Sequence, residues 1–597
     1  MPDKNSLIDS PVLTAIAVCL VLLLPGCGKK PGGTVSPGFN PGTKAQQDPL
    51  EMALDYVSRI EEFDAEKGML QTAYYLNRWI ADLTDETEWK ADPSIERLPL
   101  SLRRIPPLTA LDRSQFTLDD VRFLREASWM RSISQWVSRE TADLGNEAWL
   151  RQVEKSRGEQ HAYELGLAWR LFDWTVRNIQ LEPLLPYPAA AAGPAPADQR
   201  GAPTPKTPPE LATPGPGYTA FPWQTLLLGH GDAWQRARVF LLLARQQHLD
   251  VVMLALDTPQ ATPRPRPWLP AVVIDDQLYL FDTALGLPVP GPDGAGVATL
   301  QQVRDNPELL RSLDVGEKLR YPVGPQDLQQ VVALIDAAPE FLSRRMKLVA
   351  AQRNSAQPLV VSVEPAEIAA RVRKCAGVDS VMLWAVPGET WVFRTALERR
   401  AEKDPAVRRQ KLMREWLCEE SHTLGRARRL HFRGKFEVED GKPGAKALYL
   451  QSRLPNAAIT EIETSPEVQQ ALGIVRTREN EQEWRAMLRG QTVIAQQVKQ
   501  AASYWLGLVH YETGRYDVAV DWLKTRTLET GAGNVWTPGA RYNLARCYEA
   551  LGNLKQAREL LLLDDSAQQH GSLLLARRLR QRLEQTEPAT DQGTAEK

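Results

Sequence analysis

Sulfur and imidazole are the side chains of this sequence that could carry nucleophilic or metal chemistry, and both are scarce. The 597 residues include seven histidines and five cysteines: Cys19, Cys27, Cys375, Cys418 and Cys547. No two cysteines form a C-x-x-C pair, so their spacing does not predict a zinc or redox site. G-x-S-x-G, H-E-x-x-H and phosphate-binding glycine motifs are also missing from the sequence. We therefore expect no catalytic residue of these classes, no cofactor and no metal.

A small group of candidate ligands lies near residue 420. Cys418 and His422 are one helical turn apart, and His431 follows, so the three could form a Cys–His dyad or a metal pair. No further ligand has suitable spacing, and three nearby arginines disfavour a bound cation, so a structural role is favoured. A disulfide between Cys375 and Cys418 is an open alternative, although so few cysteines do not predict a disulfide framework.

Cys27 stands in a different context, directly after an apolar run. The run PVLTAIAVCLVLLL (11–24) has 14 residues, shorter than a transmembrane helix and typical of the apolar part of a secretory signal. Leu24-Pro25-Gly26-Cys27 resembles the lipobox of bacterial lipoproteins, which implies cleavage before Cys27 and lipidation of its sulfur. An uncleaved membrane anchor or a buried helix is the alternative. The Gly- and Pro-rich residues up to 48 predict a flexible stalk.

The chain after the stalk is predicted to be helical as far as about residue 182. Apolar residues recur there at helical spacing, and Thr117 followed by Asp120 indicates a capped helix start. Residues 183–222 are rich in Pro and Ala and cannot bury enough apolar area to fold compactly. We predict that most of them form a disordered insertion within a domain.

Residues 223–291 change to a helix, a strand and a hairpin. Asp232 is a good N-cap for the helix. Strands are predicted over 251–256, 268–274 and 277–282, with Asp275-Asp276 as the turn of a hairpin. Pro270 indicates that its strand lies at a sheet edge or starts late.

This order of elements resembles the core of the transglutaminase-like (papain-related) superfamily over about residues 160–291. In that family a Cys in a G-x-C context heads the helix, a His begins the next strand, and an Asp ends the strand after it. The helix N-terminus lowers the pKa of the thiol, the His moves the proton, and the Asp orients the imidazole. The resemblance implies an α+β fold.

The residues that would perform this chemistry are mostly replaced. In GHGDAWQRARVFLLLARQQHLDVVMLAL the Cys position falls on Ala233, and in PWLPAVVIDDQLYLFD the His position falls on or beside Pro267. Only the Asp remains, as Asp282. His230 lies near the Cys position, but a single His without a nucleophile or metal partners is more often structural. The resemblance therefore implies the fold, while the residues argue against the reaction.

The region from 316 to 490 has mixed α/β patterns. Helices are predicted over 325–350 and 365–374, strands over 359–363 and 378–384, and a hairpin of 432–438 and 447–451 around Asp440-Gly441.

Residues 501–561 contain two similar units, each with small residues, a turn glycine and a large closing residue. They resemble the tetratricopeptide repeat, which implies paired helices with a concave surface that binds peptides or protein segments. A closing helix is predicted over 573–583. Internal packing is the alternative role for these helices. The matching positions are Gly507, Gly514, Tyr516, Ala519 and Leu523, and then Leu544, Ala545, Tyr548, Gly552, Ala557 and Leu561.

The predicted fold class is α+β multidomain, with a mostly helical N-terminal region, a transglutaminase-like core, a mixed middle and a helical repeat region. The predicted boundaries are 1–26 for the signal peptide, 27–48 for the stalk, 49–159 for the helical region, 160–315 for the degenerate transglutaminase-like domain, 316–490 for the mixed region, 491–587 for the repeats and 588–597 for a disordered tail.

The leading functional hypothesis is a non-catalytic scaffold of the cell envelope, exposed to the periplasm or the cell exterior. Its partners are the membrane, through the lipid, and a protein, through the repeats. A formal net charge of −2 does not favour nucleic-acid binding. A diverged cysteine-type hydrolase or amide transferase with a relocated nucleophile is the second hypothesis, and a structural spacer between membrane and wall is the third.

Overall fold

The computed structural model describes residues 48–60, 65–83, 89–139, 145–188, 213–257, 264–352, 359–418, 422–474, 476, 481–530 and 533–586. The predicted signal peptide, Cys27, most of the stalk, part of the predicted insertion and the tail lie outside these residues. Among the described helices, none combines the length and the apolar character needed to cross a bilayer. The fold is mostly helical, with a small mixed sheet and paired helices at the C-terminal end.

The N-terminal part is helical, as its periodicity predicts. The predicted start at Thr117 is confirmed, because Thr117 N–H donates to Asp120 Oδ2 over 2.7 Å and Thr117 Oγ1 accepts from Asp120 N–H. The helices are Pro49–Ser58, Ala65–Ala81, Leu100–Arg103, Pro106–Thr109, Leu118–Val137, Glu147–Arg157 and Glu159–Asn178, with a 3-10 turn at Pro93–Arg97.

The sheet is antiparallel except at one pair of strands. The strands are β1 Gln180–Leu181, β2 His230–Gly231, β3 Asp250–Leu256, β4 Arg266–Ile274, β5 Gln277–Asp282, β6 Leu287–Pro288, β7 Val331–Ile335 and β8 Ser380–Leu383. Six of them follow the order β6-β5-β4-β3-β7-β8, in which only β7 and β8 run parallel. β1 and β2 form a separate parallel pair. The predicted hairpin of β4 and β5 is confirmed, with Asp275 in the left-handed region at φ +54°.

The prediction that Pro270 marks an edge or a late start was wrong. β4 lies between β3 and β5, and Pro270 is well inside it, opposite Met253. The register with β3 shifts between Met253 and Ala255. A proline without a backbone N–H is accommodated at such an irregularity, where the ladder is already interrupted.

Three predictions for the middle region were also wrong. The predicted helix over 325–350 contains β7 instead, whose VVALI run is buried throughout and pairs with β3. Residues 359–363 form no strand. The predicted hairpin is reduced to one bridge, between Glu439 and Lys442, because 447–451 belongs to a helix and 433–438 forms no strand. The helices of this part of the chain are Pro222–Leu228, Ala233–Arg245, Leu300–Asp305, Arg344–Ala351, Pro365–Val372, Val386–Lys403, Pro405–Glu415, Thr423–Phe432, Ala445–Gln451, Asn456–Thr464 and Pro466–Ala471, with 3-10 turns at Pro307–Leu313, Asp327–Gln329, Pro339–Leu342 and Trp416–Cys418.

The C-terminal helices pair as the repeat pattern predicts. Glu481–Glu512 packs on Tyr516–Lys524, and Thr537–Ala550 packs on Leu554–Leu562. Gln569–Thr586 contains the predicted closing helix. A 3-10 turn, Leu528–Thr530, lies in the connection between the two pairs. One cluster of buried apolar side chains extends from Leu50 through the sheet to Leu579, so the last helices share a core with the sheet.

Candidate functional site

The resemblance to the transglutaminase-like superfamily places a nucleophile at the N-terminus of helix Ala233–Arg245. Ala233 is the first residue of this helix, and Asp232 caps it. Oδ1 of Asp232 accepts hydrogen bonds from the N–H groups of Trp234 and Gln235 over 3.0 and 2.9 Å, and Oδ2 accepts one from Gly217 N–H over 2.7 Å. The amides that would stabilise a thiolate at this helix head are thus bound to a carboxylate.

Asp282 ends β5 and is buried. Its Oδ2 accepts a hydrogen bond from Tyr321 Oη over 2.6 Å, and its Oδ1 accepts from the N–H groups of Ala284 and Leu285 over 2.8 and 3.0 Å. Tyr321 Oη in turn accepts from Trp268 Nε1 over 2.8 Å. Burial raises the pKa of Asp282, although these donors oppose the rise. A phenol rather than an imidazole is the side-chain partner of this carboxylate.

The structure brings two of the three family positions together. Thr283, directly after Asp282, donates a hydrogen bond to the carbonyl of Ala233 over 2.8 Å. Pro267 lies in β4 opposite Ala255, beside the Trp268 that reaches Tyr321 in the chain of hydrogen bonds. Neither Ala233 nor Pro267 offers a nucleophile or a base.

His230 is engaged elsewhere. Its Nδ1 lies 2.8 Å from Glu182 Oε1, and its ring packs edge-on against Trp536, which precedes the second helix pair. Hydrogen bonding to His230 lowers the pKa of Glu182, although burial acts in the opposite direction. This His therefore contributes to the contact with the repeats.

The described thiols are poor candidates for a relocated nucleophile. Cys375 and Cys547 are both free and buried, and Cys375 Sγ lies 3.7 Å from the carbonyl oxygen of Arg371. The disulfide from Cys375 to Cys418 is therefore not formed in this structure. Burial raises the pKa of Cys375 to about 11 and that of Cys547 to about 12, so both are protonated at neutral pH. The side chain of Cys418 lies outside the described residues.

The two histidines near Cys418 have structural partners. His422 caps helix Thr423–Phe432, where its Nδ1 accepts from Leu424 N–H over 3.3 Å, and burial lowers its pKa to about 4. His431 pairs with the buried carboxylate of Glu512. Within the described part of the chain, no three His, Cys, Asp or Glu side chains are arranged to hold a metal ion.

The small residues of the repeat pattern are where helices touch. A Cβ atom at Gly507 would lie 2.6 Å from Leu523 Cδ2, so glycine permits the close approach of the first pair. Gly514 and Gly552 adopt φ +71° and +77° in the turns between paired helices, a region that favours glycine. Ala519 and Ala557 are fully buried.

Comparison with known proteins bears on this region. A family described as "Anaphase-promoting complex, cyclosome, subunit 3" matches residues 479–562. The match confirms tetratricopeptide-like repeats at the C-terminal end. No curated protein and no solved structure matches the chain.

The first helix of each repeat turns charged side chains toward the end of helix Glu159–Asn178. Arg177 lies between two carboxylates, with Nε 2.7 Å from Asp173 Oδ2 and Nη1 3.6 Å from Glu512 Oε1. Arg546 lies 3.1 Å from Asp173, and His431 Nε2 lies 2.5 Å from Glu512 Oε2. Burial alone would raise the pKa of Glu512, but His431 and Arg177 hold it below its usual value.

Hydrogen bonds extend this contact beyond the ionic group. Gln180 donates to the carbonyl of Val535 and accepts from Gly539 N–H, both over 2.9 Å. Asn543 Nδ2 donates to the carbonyl of Arg177 over 3.1 Å. Inner helices form the concave surface of such repeats, so here the chain's own core fills that surface. The concave binding surface that the resemblance implies is therefore not open.

Sequence reasoning did not single out Arg177, Gln180 or Glu512. The contacts that join this segment to the repeats span more than 300 positions, as from Arg177 to Glu512 and from Gln180 to Gly539, so no local spacing relates them. The one local signal is a charged residue, Arg177, between the apolar Val176 and Ile179, which are both buried.

Proposed function

We propose that this protein is a lipid-anchored, non-catalytic binding protein of the bacterial cell envelope, exposed to the periplasm or the cell exterior. In this proposal Cys27 carries the lipid, and a degenerate transglutaminase-like core forms the body. The tetratricopeptide-like repeats provide the surface for a protein partner. The main support for a non-catalytic role is that Asp282 bonds to Tyr321 and not to a histidine. The nearby helix begins with Ala233, which has no thiol.

The repeat match supports a protein partner, since such repeats generally bind other proteins. Because the inner helices contact the core, we assign the partner to the outer helices, Tyr516–Lys524 and Leu554–Leu562. Leu562 and Leu563, at the end of the second outer helix, have 46% and 66% of their surface exposed. Exposed apolar side chains that lie next to each other are typical of surfaces that bind another protein.

A diverged cysteine-type hydrolase or amide transferase is the competing function. It requires a thiol with a lowered pKa beside a base, whereas burial raises the pKa values of Cys375 and Cys547. Cys418 is the remaining candidate nucleophile of this hypothesis.

Crosslinking capture from intact cells tests the partner surface. Deleting the repeats would remove Glu512 and Arg546 from the buried ionic group around Arg177, so surface substitutions in the full chain are preferable. We expect Leu562→Asp/Leu563→Asp to abolish capture of a partner protein that the wild type captures. Leu100→Asp, at an exposed leucine outside the repeats, should leave capture unchanged. Equal loss with both variants, or no loss with either, would refute the outer-helix surface.

Metabolic labelling with an alkynyl fatty acid tests the anchor. Label should appear on the wild type and on Cys19→Ser, which lies within the predicted signal, and should be lost in Cys27→Ser. Label that persists in Cys27→Ser would refute this part of the proposal without affecting the partner surface.

A further inference from the structure

A cleft of about 540 Å³ opens on the side of the molecule that carries helix Leu118–Val137. It is also lined by the 3-10 turn Pro339–Leu342 and by residues of four further helices, Pro222–Leu228, Ala233–Arg245, Val386–Lys403 and Pro405–Glu415. Its size falls in the range of small-molecule or single-side-chain pockets. Ala233, Pro267 and Asp282 do not line it, so it is separate from the family positions.

The walls of the cleft combine apolar rings with charged groups. Phe123, Phe221, Trp223 and Trp391 contribute aromatic surface. Three prolines, Pro222, Pro339 and Pro387, add rigid apolar surface. Such walls accommodate an aliphatic stem, and aromatic faces attract cations.

Each cationic side chain that lines the cleft already has a carboxylate partner. Arg122 Nη1 lies 2.6 Å from Asp119 Oδ1 at the rim, and Arg238 Nε lies 2.8 Å from the buried Asp336. Arg394 and Lys411 share Glu415, which lies 3.3 Å from Lys411 Nζ.

Three lining carboxylates lack such a partner: Glu398, which is exposed at the rim, and the less accessible Glu126 and Glu340. Glu126 and Glu340 make no ion pair with any residue that the structure describes. Glu126 is only 8% exposed, and its Oε2 accepts a hydrogen bond from Trp223 N–H over 3.0 Å. No described donor bonds to its other oxygen, Oε1. An ionised carboxylate that is mostly buried and has no ion-pair partner is unfavourable, so it either binds a proton or pairs with a cation from outside the chain.

We propose that this cleft binds an aliphatic ammonium group, with Glu126 and Glu340 as its counter-charges and the aromatic and proline walls around its stem. An anionic ligand would add to an existing excess of carboxylates. A neutral ligand would leave both carboxylates without a counter-charge. The inference goes beyond the proposed function and depends neither on the lipid nor on the repeats.

Burial raises the pKa values of Glu126 and Glu340 to about 7, with Arg238 opposing the rise at Glu126 and Asp120 and Asp119 adding to it at Glu340. A cation would therefore bind better when both groups are ionised, at about pH 8, than at about pH 5.5.

Titration calorimetry on the full chain tests the site with three probes. Nα-acetyl-lysine methylamide carries a peptide-like ammonium group, 1,5-diaminopentane carries a free one, and Nα,Nε-diacetyl-lysine methylamide has the same stem without the charge. Saturable binding of either ammonium probe, but not of the diacetyl probe, is the expected result. Binding of the lysine derivative alone would identify a partner's side chain as the source, and binding of the diamine alone would identify a small amine.

Substitution of the two carboxylates supplies the second measurement. Glu126→Gln/Glu340→Gln should weaken binding at least tenfold at about pH 8, whereas Glu367→Gln, at an exposed position outside the cleft, should not. If the double variant fails to fold, the wild type alone tests the site. Its affinities for the charged and the neutral probes are then compared at about pH 8 and about pH 5.5. No binding of either ammonium probe, equal binding of the diacetyl probe, or unchanged affinity in a folded double variant would overturn the proposal.

Discussion

Tyr321 donates a hydrogen bond to Asp282 over 2.6 Å and accepts one from Trp268 over 2.8 Å, so a phenol links a buried carboxylate to an indole. The linkage stabilises Asp282 without an imidazole. It also supplies this buried carboxylate with a side-chain donor where no described histidine bonds to it.

We predict that Tyr321→Phe lowers the free energy of unfolding by about 1–3 kcal/mol, because it removes one donor from a buried carboxylate and leaves the Trp268 N–H without its acceptor. Denaturant unfolding at neutral pH measures the change. Tyr163→Phe, at a tyrosine with 53% of its surface exposed, is the control and should have almost no effect. Equal stability of the two variants would show that the linkage contributes nothing.

Glu126→Gln should change the pH dependence of stability. The folded pKa of about 7 lies above the ordinary value of 4.5, so between these values the native state binds more protons than the unfolded state. Stability of the wild type therefore falls as pH rises through this window, by about 3 kcal/mol for this group. The variant retains an acceptor for Trp223 N–H but lacks the titration, so its curve should be flatter and should lie above that of the wild type at about pH 8. Unfolding curves measured from about pH 5 to about pH 8 provide the comparison, and parallel curves would contradict it.

Two glycines of one helix should respond in opposite ways to alanine. Gly507→Ala places a Cβ 2.6 Å from Leu523 and should destabilise by about 1–3 kcal/mol. Gly490→Ala, in the same helix Glu481–Glu512, has no neighbouring atom within 4 Å of its new Cβ and should stabilise by up to about 1 kcal/mol. Thermal unfolding of both variants tests the contact between Gly507 and Leu523. Changes in stability of the same sign in the two variants would contradict that contact.

Glu512→Gln should loosen the junction between repeats and core. It removes one of the two carboxylates that pair with Arg177 and the carboxylate partner of His431 inside the protein, a loss of about 3–5 kcal/mol. Hydrogen exchange should accelerate in helix Thr537–Ala550, which bonds to the same segment. Glu483→Gln, at an exposed position of the same helix, is the matched control. Unchanged exchange in Glu512→Gln would mean that the ionic group does not hold the repeats in place.

Local signals predicted the elements that local chemistry determines. The cap at Asp232, the capping box of Thr117 and the hairpin turn at Asp275 all depend on neighbours within a few residues, and all three are confirmed. The repeats were predictable for the same reason, since small residues recur where paired helices touch.

Contacts between distant parts of the chain were not predictable in this way. The run at 331–335 is apolar throughout, so periodicity cannot separate a strand from a buried helix, and its pairing with β3 decides. Tyr321 could not be assigned to Asp282 from spacing, because 39 residues separate them. The unpaired state of Glu126 depends on six separate elements that meet at the cleft.

The central claim is that this protein acts by binding and not through a thiol, and a variant without thiols tests it most directly. In Cys375→Ala/Cys418→Ala/Cys547→Ala, every cysteine after Cys27 is gone. Crosslinking capture from intact cells, with thermal unfolding to verify the fold, is the measurement. We predict the same recovery of partner protein as with the wild type. A folded variant that no longer captures the partner would contradict the claim and favour a relocated nucleophile.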